Sequence, residues 1–182
     1  MITEKIRPQA VETQVGFVLV GAAVAGTALL FYRFPMTIAG PLTVVLLIAT
    51  VAAIEDVRTR RLRNLYTGAI AAAGVTVAVV YQVTGWRNGL WPALLAGAAW
   101  FLVLLIEALP EDSLSAGDVK LAGALGIWMG WIGWPAAFFG LLLVHGVMAL
   151  VLLSARIRGV HRVPLGPAIV AGVLVALLVV GG

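Results

Sequence analysis

The chain has 182 residues, of which 62% are hydrophobic and only 11% are charged, whereas soluble domains carry about 25% charged residues. This composition excludes an ordinary soluble domain and indicates an integral membrane protein. The absence of cysteine excludes disulfides, a cysteine-built zinc site and a cysteine nucleophile. The net charge of +4 does not predict nucleic-acid binding, because the basic residues stand between apolar segments, where membrane topology accounts for them.

Seven apolar segments are candidates to cross the ~30 Å hydrocarbon core of a membrane. In chain order they are residues 15–32, 36–54, 66–83, 90–109, 119–132, 135–154 and 165–181. The fifth segment is short and rich in glycine. The first follows a polar leader that contains Glu4 and Glu12, and it is long for a cleaved signal peptide, so it is interpreted as a retained helix.

These segments predict an all-α integral membrane protein with about seven transmembrane helices. Residues 1–14 are predicted to be a cytoplasmic N-terminal segment, and residues 15–182 a single polytopic membrane domain. With the N-terminus inside, only Arg33 and Arg87 of the 12 lysines and arginines fall in outside loops. Basic residues collect on the cytoplasmic side of membrane proteins, so this bias predicts a cytoplasmic N-terminus and a multi-pass protein of the plasma (inner) membrane.

Two aspartates are predicted to lie at the same depth on the cytoplasmic side. Asp56 is predicted to end the second helix, in AIEDVRTRRLRN, and Asp118 to begin the fifth, in SAGDVK. Acidic groups at membrane helices are costly and tend to face a partner or a wet cavity. Two carboxylates that share a proton form an acid/base pair able to activate water. Glu55, Glu111 and Asp112 lie at the same face, so depth alone does not single out Asp56 and Asp118.

Each of these residues also has a structural interpretation. Asp56 could pair with the arginines that follow it at the lipid headgroups. Ser115 and Asp118 fit a capping box, S-x-x-D before an apolar run. Lys120 points to another helix face and would snorkel to the headgroups. Small residues at Ala122, Gly126 and Gly130 predict close helix packing. From the residues alone, a carboxylate dyad is one plausible interpretation among these.

Three stretches resemble signatures of the type IV prepilin peptidases, which are aspartic membrane proteases of the GxGD class. Residues 56–64 read DVRTRRLRN, similar to the family's D-x-R-x-R-x-I-P-N. Residues 115–121 read SAGDVKL and continue to Gly126, similar to G-x-G-D-x-K-L-x-x-x-x-G. Residues 163–168 read VPLGPA, similar to I-P-F-G-P-x. The three occur in family order over about residues 40–180, and the short form that serves tight-adherence-type pili is the most similar.

The resemblance implies a catalytic dyad of Asp56 and Asp118. Supporting motif residues would be Gly117, Lys120, Asn64 and Arg60. The chain departs from the family pattern at two positions, where Ser115 replaces the first glycine of G-x-G-D and Arg63 replaces the proline before Asn64. The implied peptidase core has six helices, so the N-terminal helix is additional to it. The methyltransferase activity of the long forms is not predicted, because their cysteine motif is absent.

The function implied by the resemblance is leader-peptide cleavage of pilin-like precursors by an aspartic endopeptidase at the cytoplasmic face. The predicted partners are the precursor and the lipid bilayer, with no nucleic acid, no cofactor and no resident metal. A basic leader would approach Glu111 and Asp112. The alternative is a non-catalytic polytopic protein for transport or assembly. The acids would then serve as helix caps or ion-path groups. His145, inside the sixth segment, would be a candidate functional residue, although a lone histidine there is more often an interhelical hydrogen-bond partner.

Overall fold

The computed structural model describes residues 3–85, 89–109, 114–160 and 163–180, with side chains from residue 17 onward. Within these ranges the chain forms seven helices and no strand, which confirms the all-α prediction. The helices are α1 (Thr3–Arg33), α2 (Met36–Thr59), α3 (Asn64–Thr84), α4 (Leu90–Ala108), α5 (Ala116–Ile132), α6 (Trp134–Ile157) and α7 (Gly166–Val180).

Four of the described helices, α2, α3, α4 and α6, are long and apolar enough to cross a membrane. The Phe17–Arg33 part of α1 and the whole of α7 are apolar but shorter. The chain is therefore a multi-pass membrane protein. Seven crossings and a cytoplasmic N-terminus stay predictions.

Two helix ends differ from the predicted segments in a way that matters for the site. Helix α2 continues to Thr59, five residues beyond the apolar segment that ends at residue 54, and Asp56 lies in its last turn, as predicted. It ends at Arg60, whose backbone is left-handed (φ 52°) and whose N–H donates to the Asp56 carbonyl oxygen at 2.7 Å. A left-handed residue commonly ends a helix in this way, although glycine is the usual choice. Helix α5 begins at Ala116, which places Asp118 in its first turn.

Helix α5 is the most enclosed element of the described bundle. It packs against α3, α4, α6 and α7. The predicted small-residue stripe is confirmed as its contact with α4, because a Cβ atom at Gly126 would come within 2.8 Å of the Trp100 ring. Trp100 is itself buried and donates its indole N–H to the Ala137 carbonyl oxygen on α6 at 3.0 Å. Close packing on both faces therefore fixes the position of α5.

Four helix ends meet at one end of the bundle, which we call the carboxylate end. They are the C-terminus of α2 and the N-termini of α3, α5 and α7. The four-residue connection 60–63 joins α2 to α3, and α7 packs against both α2 and α5. This arrangement brings three sequence motifs, far apart along the chain, to one place.

Candidate active site

Asp56 lies at the carboxylate end, in the last turn of α2, and is only 4% exposed. Its Oδ2 atom accepts a hydrogen bond from the backbone N–H of Gly166, the first residue of α7, at 3.2 Å. Helix N-termini carry free N–H groups and a partial positive charge, so they favour a carboxylate. A Cβ atom at position 166 would lie 2.9 Å from the same oxygen, so this approach requires glycine. The glycine of the third motif thus holds the aspartate of the first.

Asp118 is 3% exposed and is held at the N-terminus of its own helix. Its Oδ2 atom accepts hydrogen bonds from the Ser115 backbone N–H (2.9 Å) and the Ser115 hydroxyl (2.8 Å). The Asp118 N–H donates in turn to the Ser115 hydroxyl oxygen at 3.2 Å. The predicted capping box is therefore confirmed. The other carboxyl oxygen, Oδ1, is buried and has no hydrogen-bond partner among the described residues.

The two aspartates lie close enough for their carboxyl groups to interact electrostatically. The ion pairs of the described residues include neither of them, so the alternative in which arginines neutralise Asp56 is not seen. Two buried carboxyl groups without a counter-ion are most stable when they hold one proton between them, because like charges repel strongly away from water. Such a pair presents one acid and one base at the same place.

The first two motifs are tied together at two points beside the aspartates. Leu62, in the connection 60–63, lies against Gly117, where an added Cβ atom would come within 2.7 Å of the Leu62 Cβ. The Lys120 ammonium donates to Asn64 Oδ1 at 3.0 Å. Lys120 is exposed, as expected of a snorkelling lysine, but it also has this specific partner. Arg60 lies exposed at the C-cap of α2, where its backbone closes the helix.

The other acids near this end are placed differently. Glu55 Oε1 lies 3.7 Å from Arg63 Nε, so the arginine that replaces the family's proline pairs with the acid next to Asp56 in sequence. Glu111 and Asp112, predicted to contact a substrate leader, lie outside the described residues. Within the described ranges, no three histidine, aspartate or glutamate side chains come together as a metal site.

A second polar pair joins α4 to α6 and was only half predicted. His145 Nε2 on α6 is 2.9 Å from Glu107 Oε1 on α4, and His145 Nδ1 is 2.7 Å from the Leu141 carbonyl oxygen. The interpretation of His145 as an interhelical hydrogen-bond group is confirmed. Glu107 is not among the predicted site residues. The available signal was an acid near the end of one apolar helix and a histidine within another.

A groove of about 450 Å³ runs between α3, α4 and α5. Lys120 and Asn64 line it together with apolar and small residues such as Gly123 and Ala124. Lys120 and Asp118 are two positions apart on one helix, and residues at that spacing do not share a face. The groove therefore lies on a different side of α5 from the Asp118 carboxyl group.

Residues 42–154, more than half of the chain, match the model of the type IV leader peptidase family. The chain belongs to the type IV leader peptidase family. The family resemblance predicted from the motifs is thereby confirmed, and membership indicates a prepilin-type leader peptidase, which is a protease. The matched range contains the Asp56 and Asp118 motifs, whereas the third motif, with Gly166, lies beyond it. No curated protein and no solved structure matches the chain.

Proposed function

We propose that this leader peptidase is an aspartic endopeptidase of the plasma (inner) membrane. It would cut pilin-like precursors of the tight-adherence type at the cytoplasmic face, with Asp56 and Asp118 as its catalytic dyad. The observation that carries the proposal is the burial of these two carboxyl groups within electrostatic reach of each other at one end of the helix bundle. Family membership supplies the reaction class.

The proposed chemistry needs one ionised and one protonated carboxyl group. The ionised aspartate takes a proton from a water molecule, whose oxygen attacks the scissile carbonyl carbon. The protonated aspartate gives its proton to the carbonyl oxygen, which leaves a tetrahedral diol. Collapse of the diol re-forms the carbonyl and breaks the C–N bond, while the ionised aspartate takes a proton from a diol hydroxyl and the protonated aspartate gives its proton to the departing amine. The dyad then returns to its singly protonated state.

The position of the dyad fits a substrate whose apolar helix stays in the bilayer while its leader lies outside it. Asp56 is in the last turn of α2, which is long and apolar enough to cross a membrane, and Asp118 is in the first turn of the apolar helix α5; we therefore propose that both lie where an apolar segment meets water. A bond between a polar leader and an apolar helix would be presented at this depth. Glu111 and Asp112, which follow α4 in sequence, are proposed to attract a basic leader.

The test is co-expression with a tight-adherence-type pilin precursor, followed by gel analysis of leader removal. The Asp56→Asn and Asp118→Asn variants are expected to leave the precursor uncut while inserting in the membrane normally. Glu55→Gln is the matched control, since it removes an acid next to Asp56 that pairs with Arg63 instead. Normal processing by either Asp→Asn variant would overturn the assignment of the dyad.

A further inference from the structure

Ser115 stands where the family pattern has glycine, and its hydroxyl group contacts the proposed catalytic machinery directly. The hydroxyl donates to Asp118 Oδ2 at 2.8 Å, and the Ser115 backbone N–H donates to the same oxygen at 2.9 Å. One residue therefore supplies two donors to one carboxyl oxygen. Hydrogen bonds to a carboxylate are stronger than those between neutral groups, so together they fix the orientation of the side chain.

This arrangement makes the two oxygens of Asp118 unequal. Oδ2 is occupied by Ser115, whereas Oδ1 is buried without a hydrogen-bond partner among the described residues. A buried polar atom left unpaired costs about 1–3 kcal/mol, so native proteins seldom keep one without a use. The Asp56 carboxyl group lies within electrostatic reach. Oδ1 is thus the Asp118 oxygen available to a water molecule or a scissile carbonyl.

A helix cap alone does not require the hydroxyl proton of Ser115. Capping uses the hydroxyl oxygen as an acceptor for the Asp118 N–H, at 3.2 Å here. The donation to Oδ2 is a second and separate interaction, and its acceptor is the proposed catalytic carboxyl group. The backbone N–H of residue 115 can hold Oδ2 without help from a side chain, as it would where the family has glycine. The hydroxyl therefore strengthens a contact that the backbone already makes.

We propose that Ser115 is a positioning residue for peptide-bond cleavage in this chain. Its hydroxyl restrains the Asp118 carboxyl group so that Oδ1 meets the reacting water or carbonyl. The inference rests on the proposed function, because it assigns Ser115 a role through Asp118. It also assigns a function to the serine at position 115, where the G-x-G-D pattern of the family has its first glycine.

The experiment compares Ser115→Gly, Ser115→Ala and Ser115→Thr with the wild-type enzyme, purified in detergent and assayed on a tight-adherence-type pilin precursor. Ser115→Gly is the informative variant, because glycine caps a helix almost as well as serine but has no hydroxyl. Loss of a hydrogen bond to a charged group is expected to lower kcat about tenfold, with KM changed less than about twofold. Ser115→Thr keeps the hydroxyl and is expected to retain kcat within about twofold of wild type.

Two further measurements separate positioning from stability. The folded fraction of each variant is measured by size-exclusion chromatography, and kcat is expressed per folded enzyme. Ser154→Ala is the control, since the Ser154 hydroxyl donates to the Leu150 carbonyl oxygen of its own helix at 2.7 Å and has no other hydrogen bond among the described residues. A purely structural role for Ser115 would reduce the folded fraction and leave kcat per folded enzyme unchanged.

The outcomes distinguish a failure of the role proposed for Ser115 from a failure of the proposed function. Wild-type kcat in Ser115→Gly, or an equal loss of kcat in Ser115→Gly and Ser115→Thr, would overturn the positioning role. If that happens while Asp118→Asn is inactive, the dyad stands and only the role of Ser115 fails. If Asp118→Asn cleaves normally, the proposed function itself fails, whatever Ser115 does.

Discussion

Two of the polar pairs in the described bundle, Glu107–His145 and Asp56–Asp118, differ in how completely their hydrogen bonds are satisfied. In the Glu107–His145 pair, both ring nitrogens have partners and a carboxyl oxygen faces one of them. In the Asp56–Asp118 pair, each aspartate is held by a backbone N–H group at a helix N-terminus, and one buried oxygen, Asp118 Oδ1, has no partner in the described part of the chain. A pair whose polar atoms all have hydrogen-bond partners joins helices, whereas a buried pair with an unpaired oxygen can form a further hydrogen bond with a bound molecule.

The hydrogen bonds of His145 also restrict its tautomer. A carbonyl oxygen only accepts, so Nδ1 must carry a hydrogen that it donates to the Leu141 carbonyl. Nε2 then faces Glu107 Oε1 at 2.9 Å, so each ring nitrogen of His145 has an oxygen partner. The two aspartates, in contrast, have no cationic or imidazole partner among the described residues.

The strongest test of the difference between the two pairs is to convert one carboxyl group of each pair to an amide. Asp118→Asn removes an acid/base group and is expected to lower the cleavage rate by roughly 10²–10⁴-fold, the usual contribution of such a group. Glu107→Gln keeps a hydrogen-bonding side chain opposite His145 and is expected to leave the rate within about twofold of wild type. Cleavage of a pilin-like precursor per folded enzyme is the measurement. A loss in Glu107→Gln as large as in Asp118→Asn would make the two pairs equivalent and the comparison wrong.

The next largest effect is expected from Gly166→Ala. An added Cβ atom would meet Asp56 Oδ2 at 2.9 Å, so the carboxyl group or the start of α7 must shift. Small displacements of a catalytic group lower rates steeply, and we expect a loss of roughly 10- to 100-fold in kcat. Gly146→Ala on α6 is the matched control, because no heavy atom lies within 4 Å of its added Cβ. Equal rates in the two variants would show that the contact between α7 and Asp56 does not position the carboxyl group.

A smaller effect, on stability rather than rate, is expected at the second pair. His145→Ala removes the hydrogen bond between α4 and α6, and hydrogen bonds between membrane helices contribute about 0.6 kcal/mol on average and up to about 1.7 kcal/mol. Thermal unfolding in detergent of His145→Ala, Glu107→Ala and the double variant gives the coupling energy. Strict additivity of the two single losses would show that the pair does not join the helices.

The sequence predicted the helices well and their ends less well. Apolar runs bounded by proline and glycine located all seven described helices. Asp56 was correctly predicted to lie at the end of α2, but the apolar segment itself stops at residue 54, because the last turn of α2 is polar and its left-handed cap falls on Arg60 rather than on a glycine. The boundary after residue 14, between the N-terminal segment and the membrane domain, stays a prediction. Helix α1 crosses this position, since it runs from Thr3 to Arg33.

The contacts of the candidate site were also predicted only in part. The motifs predicted Asp56 and Asp118, and the capping box predicted the contact between Ser115 and Asp118. The hydrogen bond from Gly166 to Asp56 joins residues more than 100 positions apart, and no local pattern encodes it. Glu107 was missed because its partner lies on another helix and neither residue belongs to a motif. Such contacts depend on which helices are neighbours, which composition and spacing do not specify.

The smallest effect is expected from Arg63→Pro. This change introduces the proline of the family pattern and removes the ion pair between Arg63 and Glu55, the acid next to Asp56 in sequence. The backbone of Arg63 (φ −72°) already suits proline, whose ring fixes φ near −65°. Proline at a compatible position stabilises by about 0.4–1 kcal/mol through the unfolded chain. Loss of the partly exposed ion pair with Glu55 costs about 0–1 kcal/mol, so the free energy of unfolding should change by less than about 1 kcal/mol.

The cleavage rate of Arg63→Pro should stay within about twofold of wild type, because Glu55 is the acid that the proposed chemistry does not use. A large loss of rate with unchanged stability would mean that Glu55, which then keeps Tyr66 but has lost Arg63 as a partner, competes for the dyad's proton, so that three acids and not two take part in the site.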